Sequence, residues 1–116
     1  MIRRVGIEEV GRRYLTASAN SKDEWWIIDA VWLGNGLDDD THLVVVLAAL
    51  KAAGDDEDAL WRVGDQPVEE GLFPRPGMRD RLLVLRATTP SLVALWAVMR
   101  RYYREVLDTK ESIWER

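Results

Sequence analysis

Apolar positions in this chain recur at three- and four-residue intervals, the spacing of one helical face. Ile7, Val10, Tyr14 and Leu15 predict a first helix over Ile7–Ala19, with Glu8 and Glu9 early and Arg12 and Arg13 late, as the helix dipole favours. Asn20 breaks that pattern. Ser21 with Glu24 three residues on reads as a capping box. It opens a second helix to about Leu33, on which Trp25, Ile28 and Trp32 share a face and Gly34-Asn35-Gly36 makes the stop. Asp29, the one charge in that stretch, reads as a solvated wedge in preference to a buried acid paired with an arginine. Asp38, Asp39 and Asp40 can cap a third helix, about Asp40–Ala53, ended by Gly54. Its apolar residues lie nearly all round, which predicts a central, buried element. Val44-Val45-Val46 also suits a strand, but the length, the Ala-rich second half and the caps favour helix.

Asp55–Val63 predicts a short helix with Gly64 as its stop, and Pro67 the first turn of another, Pro67–Leu72. The two prolines of residues 73–77 exclude regular helix there. Met78–Ala87 reads as helix, with an edge strand over Arg81–Arg86 as the rival. Thr89 and Pro90 read as N-cap and first residue of a helix to about Val106. Leu92, Leu95, Trp96, Met99, Tyr102, Tyr103 and Val106 form its stripe. Asp108 with Glu111 can cap a last turn ending near Trp114. The expected fold is all-α: one domain over residues 1–116, a compact bundle of about five to seven helices, with stacked antiparallel helix pairs as one arrangement.

Charge sharpens this picture. The net charge is −4, but residues 38–70 alone carry −8, against 0 before them and +4 after. So acidic a middle repels phosphate backbones and argues against nucleic acid as a partner. It suits a basic protein. The simplest reading of the Arg-rich last third is intramolecular: it faces that acidic middle, or is solvated. The chain has no cysteine, which excludes disulfides and thiolate metal sites and permits a reducing compartment. No apolar run is long enough for a signal peptide or a membrane span, so a cytoplasmic location is expected.

The chemistry-bearing residues are sparse. His42 is the only histidine, and a lone histidine without cysteine is a poor transition-metal site; it reads as a surface or capping residue. The aspartate runs lack the glycine and terminal glutamate of a calcium loop. Glu69 and Glu70 point about 100° apart on a helix, which spoils them as a facing acid–base pair. No nucleophile elbow, phosphate loop or dinucleotide fingerprint is present. No enzyme, metal or cofactor is expected.

Trp25-Trp26, the apolar helix ending at Ala53, the turn Gly64-Asp65-Gln66-Pro67-Val68-Glu69 and the terminal Ile113-Trp114 form a pattern. It resembles a family of small bacterial proteins named domain of unknown function 6869, over roughly Asp23 to Trp114. That family carries a Trp-Trp pair and a Gly-x-Gly-Pro-apolar-Glu motif. Gln66 stands here where glycine is usual, and Gly71 where leucine is usual; the loop of residues 73–77 also differs. The resemblance implies helices and no activity.

The leading functional expectation is a non-catalytic protein-binding module, an immunity or antitoxin-like protein that sets an acidic face against a basic effector or toxin. Its expected contact residues are Asp55, Asp56, Asp58, Trp61, Asp65, Glu69 and Glu70. The first alternative is a helical regulatory or scaffold protein that self-associates, as a homodimer through the Leu92–Val106 stripe. A third is a small carboxylate-dependent hydrolase.

Overall fold

The computed structural model describes residues 6–17 and 24–116. Six α-helices make one all-α bundle, and the described residues contain no strand. They are α1 (Ile7–Thr16), α2 (Trp25–Ile28), α3 (Asp39–Ala53), α4 (Glu57–Val63), α5 (Met78–Arg86) and α6 (Pro90–Glu105). Two π-helical segments extend this set: π1 (Asp29–Leu33) continues α2, and π2 (Gly64–Leu72) continues α4. A 3-10 turn, Ile113–Glu115, closes the chain.

Helix α3 is the central element. Asp38 caps it by accepting a hydrogen bond from the Thr41 amide at 2.7 Å, and Gly54 ends it at φ 61°. Leu43, Val45, Val46, Ala49 and Leu50 are all buried, against α1, π1, π2, α4 and α6. Burial on nearly every side is what its all-round apolar pattern demands, and helix wins over strand because the caps and fifteen-residue length agree. Residues 81–86 are likewise helical. Helix α1 comes closest to α3 at Gly11, where a Cβ would stand 2.6 Å from the Ala48 carbonyl carbon; only glycine allows two backbones that near.

Several boundaries differ from expectation, each for a tertiary reason. Helix α1 ends at Thr16, with Ala17 extended. The Arg62 guanidinium reaches over from α4 and donates to the Leu15 and Ala17 carbonyls at 2.7 and 2.9 Å, satisfying groups that another turn would have used. The Ser21 cap lies outside the described residues. Trp25 is exposed while Ile27 and Ile28 are buried, so the expected face of Trp25, Ile28 and Trp32 does not enter the core as one. Asp29 accepts from the Asn35 side-chain amide at 2.8 Å and pairs with no arginine among the described residues.

Gly64 does not stop α4. It is right-handed helical, and the chain winds on through Pro67 to Leu72, with i→i+5 bonds such as Phe73 amide to Val68 carbonyl at 2.9 Å. Proline in an α-helix presses on the carbonyl four residues back; the wider π winding relieves that contact. Gly64 serves close approach instead, since a Cβ there would lie 2.6 Å from Met99 Sδ. The expected break at Gly64 and restart at Pro67 are therefore one continuous element. Thr89 and Asp108 make no side-chain cap: Thr89 takes the α6 start with its carbonyl, and Asp108 adopts φ 49° while the Thr109 hydroxyl accepts from the Glu111 amide.

Helices α5 and α6 meet at a bend of 111°, which brings the α6 face bearing Leu92, Leu95, Trp96 and Met99 into the core. Trp114 plugs the far side of that core, 4.6 Å from Trp96 and 5.5 Å from Phe73 between ring centroids. No single described helix is long and apolar enough to cross a membrane.

Candidate functional site

The acidic middle is divided by the fold into two kinds of carboxylate. One kind is spent within the molecule. Asp39 pairs with Arg75 at 2.7 Å, Asp40 with Arg81 at 2.6 Å and Glu57 with Arg101 at 2.6 Å. These three contacts join residues of the −8 segment to arginines of the +4 segment, as the intramolecular reading of the charge pattern expects. Asp38 is a cap, and the Thr41 amide beside it holds its carboxyl below the usual carboxylate range.

Of the seven expected contact residues, three lie on π2 and are turned inward or sideways. Glu69 accepts hydrogen bonds from the Tyr103 hydroxyl at 2.6 Å and the Trp114 indole at 2.8 Å. Burial and that carboxylate together push the Tyr103 hydroxyl well above its ordinary pKa. Glu70, one residue on, accepts from the Trp32 indole of π1 at 2.9 Å. Asp65 is half-buried, and burial with nearby Glu70 pushes its carboxyl up. These acids tie π2 to π1, to α6 and to the C-terminal turn.

The other four stay together at the start of α4. Asp55 is exposed, Asp56 accepts from the Ala59 amide at 3.1 Å as N-cap, and Asp58 and Trp61 follow along the helix. Trp61 packs on Tyr102 of α6 with ring centroids 5.5 Å apart and planes at 60°. Between these helices runs an open groove of about 290 Å³. Glu57, Asp58 and Trp61 line its α4 side. Val98, Tyr102 and Glu105 line its α6 side, with Arg101 spanning the rim to Glu57 and Val106 at the end. Asp58 and Glu105 make no ion pair or side-chain hydrogen bond among the described residues. The groove therefore combines an aromatic floor, two apolar ends and two unpaired carboxylates.

The α6 half of this groove escaped the sequence reading as contact surface. Its signal was present in the spacing of Val98, Arg101, Tyr102, Glu105 and Val106, one outward face at three- and four-residue steps. Tyr102 and Val106 were instead assigned to the inward stripe. That stripe buries Leu92, Leu95, Trp96 and Met99; Tyr102 and Tyr103 are half-buried and Val106 is exposed.

His42 corrects a further expectation. It is not a surface residue but fully buried, its Nε2–H directed at the Val31 carbonyl at 2.9 Å. Its ring fills the space above Gly34, where a Cβ would be 2.4 Å from Nδ1. Burial, aided by the Arg75 charge, pushes the imidazole below its ordinary pKa of 6.5 despite the favourable Val31 bond. A base whose folded pKa is depressed takes up protons more readily when unfolded. Its contribution is full above pH 6.5 and is lost as pH falls below that value, at most about 1.4 kcal/mol per pH unit. Asp65 acts with the opposite sign, because a raised carboxyl pKa favours the folded chain as protons are added. Urea unfolding midpoints between pH 7.5 and 5 should fall with pH in the native chain. In His42→Gln that slope should flatten, whatever its absolute stability; an unchanged slope would remove His42 as its source.

Among the described residues no three His, Asp or Glu side chains converge as a metal site. In comparisons with protein families, curated proteins and solved structures, no match to this chain was found.

Proposed function

We propose that this chain is a non-catalytic protein-binding module that receives a basic protein in the groove between α4 and α6, in the manner of an immunity or antitoxin-like partner of a basic effector. One observation carries the reading. Asp58, and Glu105 facing it from α6, make no ion pair or side-chain hydrogen bond among the described residues beside the Trp61–Tyr102 pair, while most acids of the middle segment are capped, paired or hydrogen-bonded within the molecule. Unpaired carboxylates steer a cationic partner, and half-exposed aromatic side chains anchor it. Asp55 and Asp56 extend the same field along the α4 start.

The test is capture from an extract of the native host. Basic proteins retained at low salt should be released at high salt, since exposed charges lose reach within about 10 Å at 0.1 M. The double variant Asp58→Lys/Glu105→Lys should retain fewer of them, by about tenfold or more for a steered interface. Identical capture by native and variant chains defeats the proposal.

Self-association is the second reading, by a surface other than the expected Leu92–Val106 stripe, whose Leu92, Leu95, Trp96 and Met99 are buried in the bundle's own core. The observation in its favour is a set of exposed valines on α5 and α6, Val84 at 74% and Val93 at 54% exposure. Light scattering at two salt concentrations separates the readings: a monomer at both removes the homodimer.

A further inference from the structure

We infer that the α4–α6 groove is a receptor for a single arginine side chain of its partner, selecting a guanidinium over an ammonium. This deepens the proposed binding function and rests on that groove being its site. Size comes first. About 290 Å³ lies just under the range of ligand pockets, about 300 to 1,000 Å³; such a groove admits a side chain, not a helix.

The chain's own contacts show what its aromatic rings accept. Arg62 lies over Tyr14 at 5.2 Å, Arg79 over Phe73 at 5.4 Å and Arg86 over Trp96 at 5.1 Å. The Trp61–Tyr102 pair carries no such guanidinium among the described residues. It is the aromatic pair that borders this open groove. Arg101 also shows the rim chemistry: it reaches across to Glu57 at 2.6 Å, and Glu57 in turn raises the guanidinium's affinity for its proton. That pairing occupies Glu57, and Glu105 also lies within the field of Arg101; Asp58 and Glu105 keep their hydrogen-bonding oxygens for an incoming cation, with no ion pair or side-chain hydrogen bond among the described residues.

A guanidinium matches what remains. Its plane stacks on a ring face while its N–H fork meets carboxylates at the edge, whereas an ammonium is compact and strongly hydrated. The methylene stem of arginine lies along apolar surface, which Val98 and Val106 provide. Net charge of the groove is negative, with three carboxylates against Arg101, so an arginine balances it better than a neutral side chain.

The probe is a blocked tetrapeptide, acetyl-Gly-Arg-Leu-Gly-amide, with lysine and citrulline counterparts, titrated into the full chain labelled with ¹⁵N. The readout is the Trp61 indole N–H resonance, assigned by Trp61→Phe. The arginine peptide should move it, with millimolar affinity. Lysine should bind roughly fivefold more weakly, and citrulline, which keeps the shape without the charge, should leave the resonance in place. Asp58→Asn/Glu105→Gln should weaken the arginine peptide about tenfold with the fold intact by circular dichroism, and Arg101→Gln should leave it bound or tighten it. Equal binding of lysine and arginine overturns the inference while the acidic-groove reading stands. No shift with any peptide also overturns it; the salt-dependent capture test then decides separately whether the groove binds a protein by other contacts.

Discussion

Gly71→Ala should lower the unfolding free energy by about 3 kcal/mol or more, the largest effect expected of any one-methyl change here. A Cβ at residue 71 would stand 1.9 Å from the Trp32 carbonyl oxygen and 3.0 Å from His42 Cε1. The first of these is backbone, so no rotamer change makes room. Segments π1 and π2 must separate, and that strains the Glu70–Trp32 hydrogen bond and the packing over His42. Gly64→Ala is the control. Its Cβ would meet Met99 Sδ and Leu95 Cδ1, ends of side chains that can turn aside, and alanine's better helix propensity offsets part of the cost. Urea unfolding of both variants checks the pair of expectations. A loss below about 1 kcal/mol for Gly71→Ala would mean that the two π segments are not in backbone contact.

Trp114→Ala should cost about 3 to 5 kcal/mol, the range for emptying a large aromatic site in a core. The indole is 1% exposed. Two rings, Trp96 and Phe73, lose an edge-on or tilted aromatic partner, and Glu69 loses one of its two donors. The damage extends beyond the cavity, because the Arg100 guanidinium holds the Trp114 carbonyl at 2.8 Å and Arg104 holds Glu115 through two bonds. Trp114→Phe keeps most of the volume and removes the N–H, so it should lie between alanine and the native chain. Thermal unfolding of the three proteins gives the order; equal stabilities would show that the C-terminal turn does not dock.

Both effects come from residues whose part in the fold was only half legible in the sequence. The helices themselves were legible. Asp38 and Gly54 bound α3 because capping is a contact within three or four residues. The α6 stripe at Leu92, Leu95, Trp96 and Met99 is buried because the helical period alone puts those positions on one face. The candidate site was legible on its α4 side, from Asp55 to Trp61. Its α6 wall was not, since which outward face of α6 meets α4 depends on the path of the chain through π2 and the 111° bend before α6.

The sequence by itself determined an all-α domain, its central helix with the Asp38 cap and Gly54 stop, and a carboxylate-rich middle opposed by a basic last third. Only the tertiary structure decided what Gly64, Gly71, His42 and Glu69 do. The reason is physical. Glycine can end a helix through its backbone freedom or let another element approach through its missing Cβ, and residues around it in sequence are the same in either case. At Gly64 the choice rests on Met99, and at Gly71 on Trp32. A carboxylate likewise serves solvent, a partner or its own chain according to donors remote in sequence. Tyr103 and Trp114 claim Glu69, Arg101 claims Glu57, and no described residue claims Asp58, beside Trp61 in the groove.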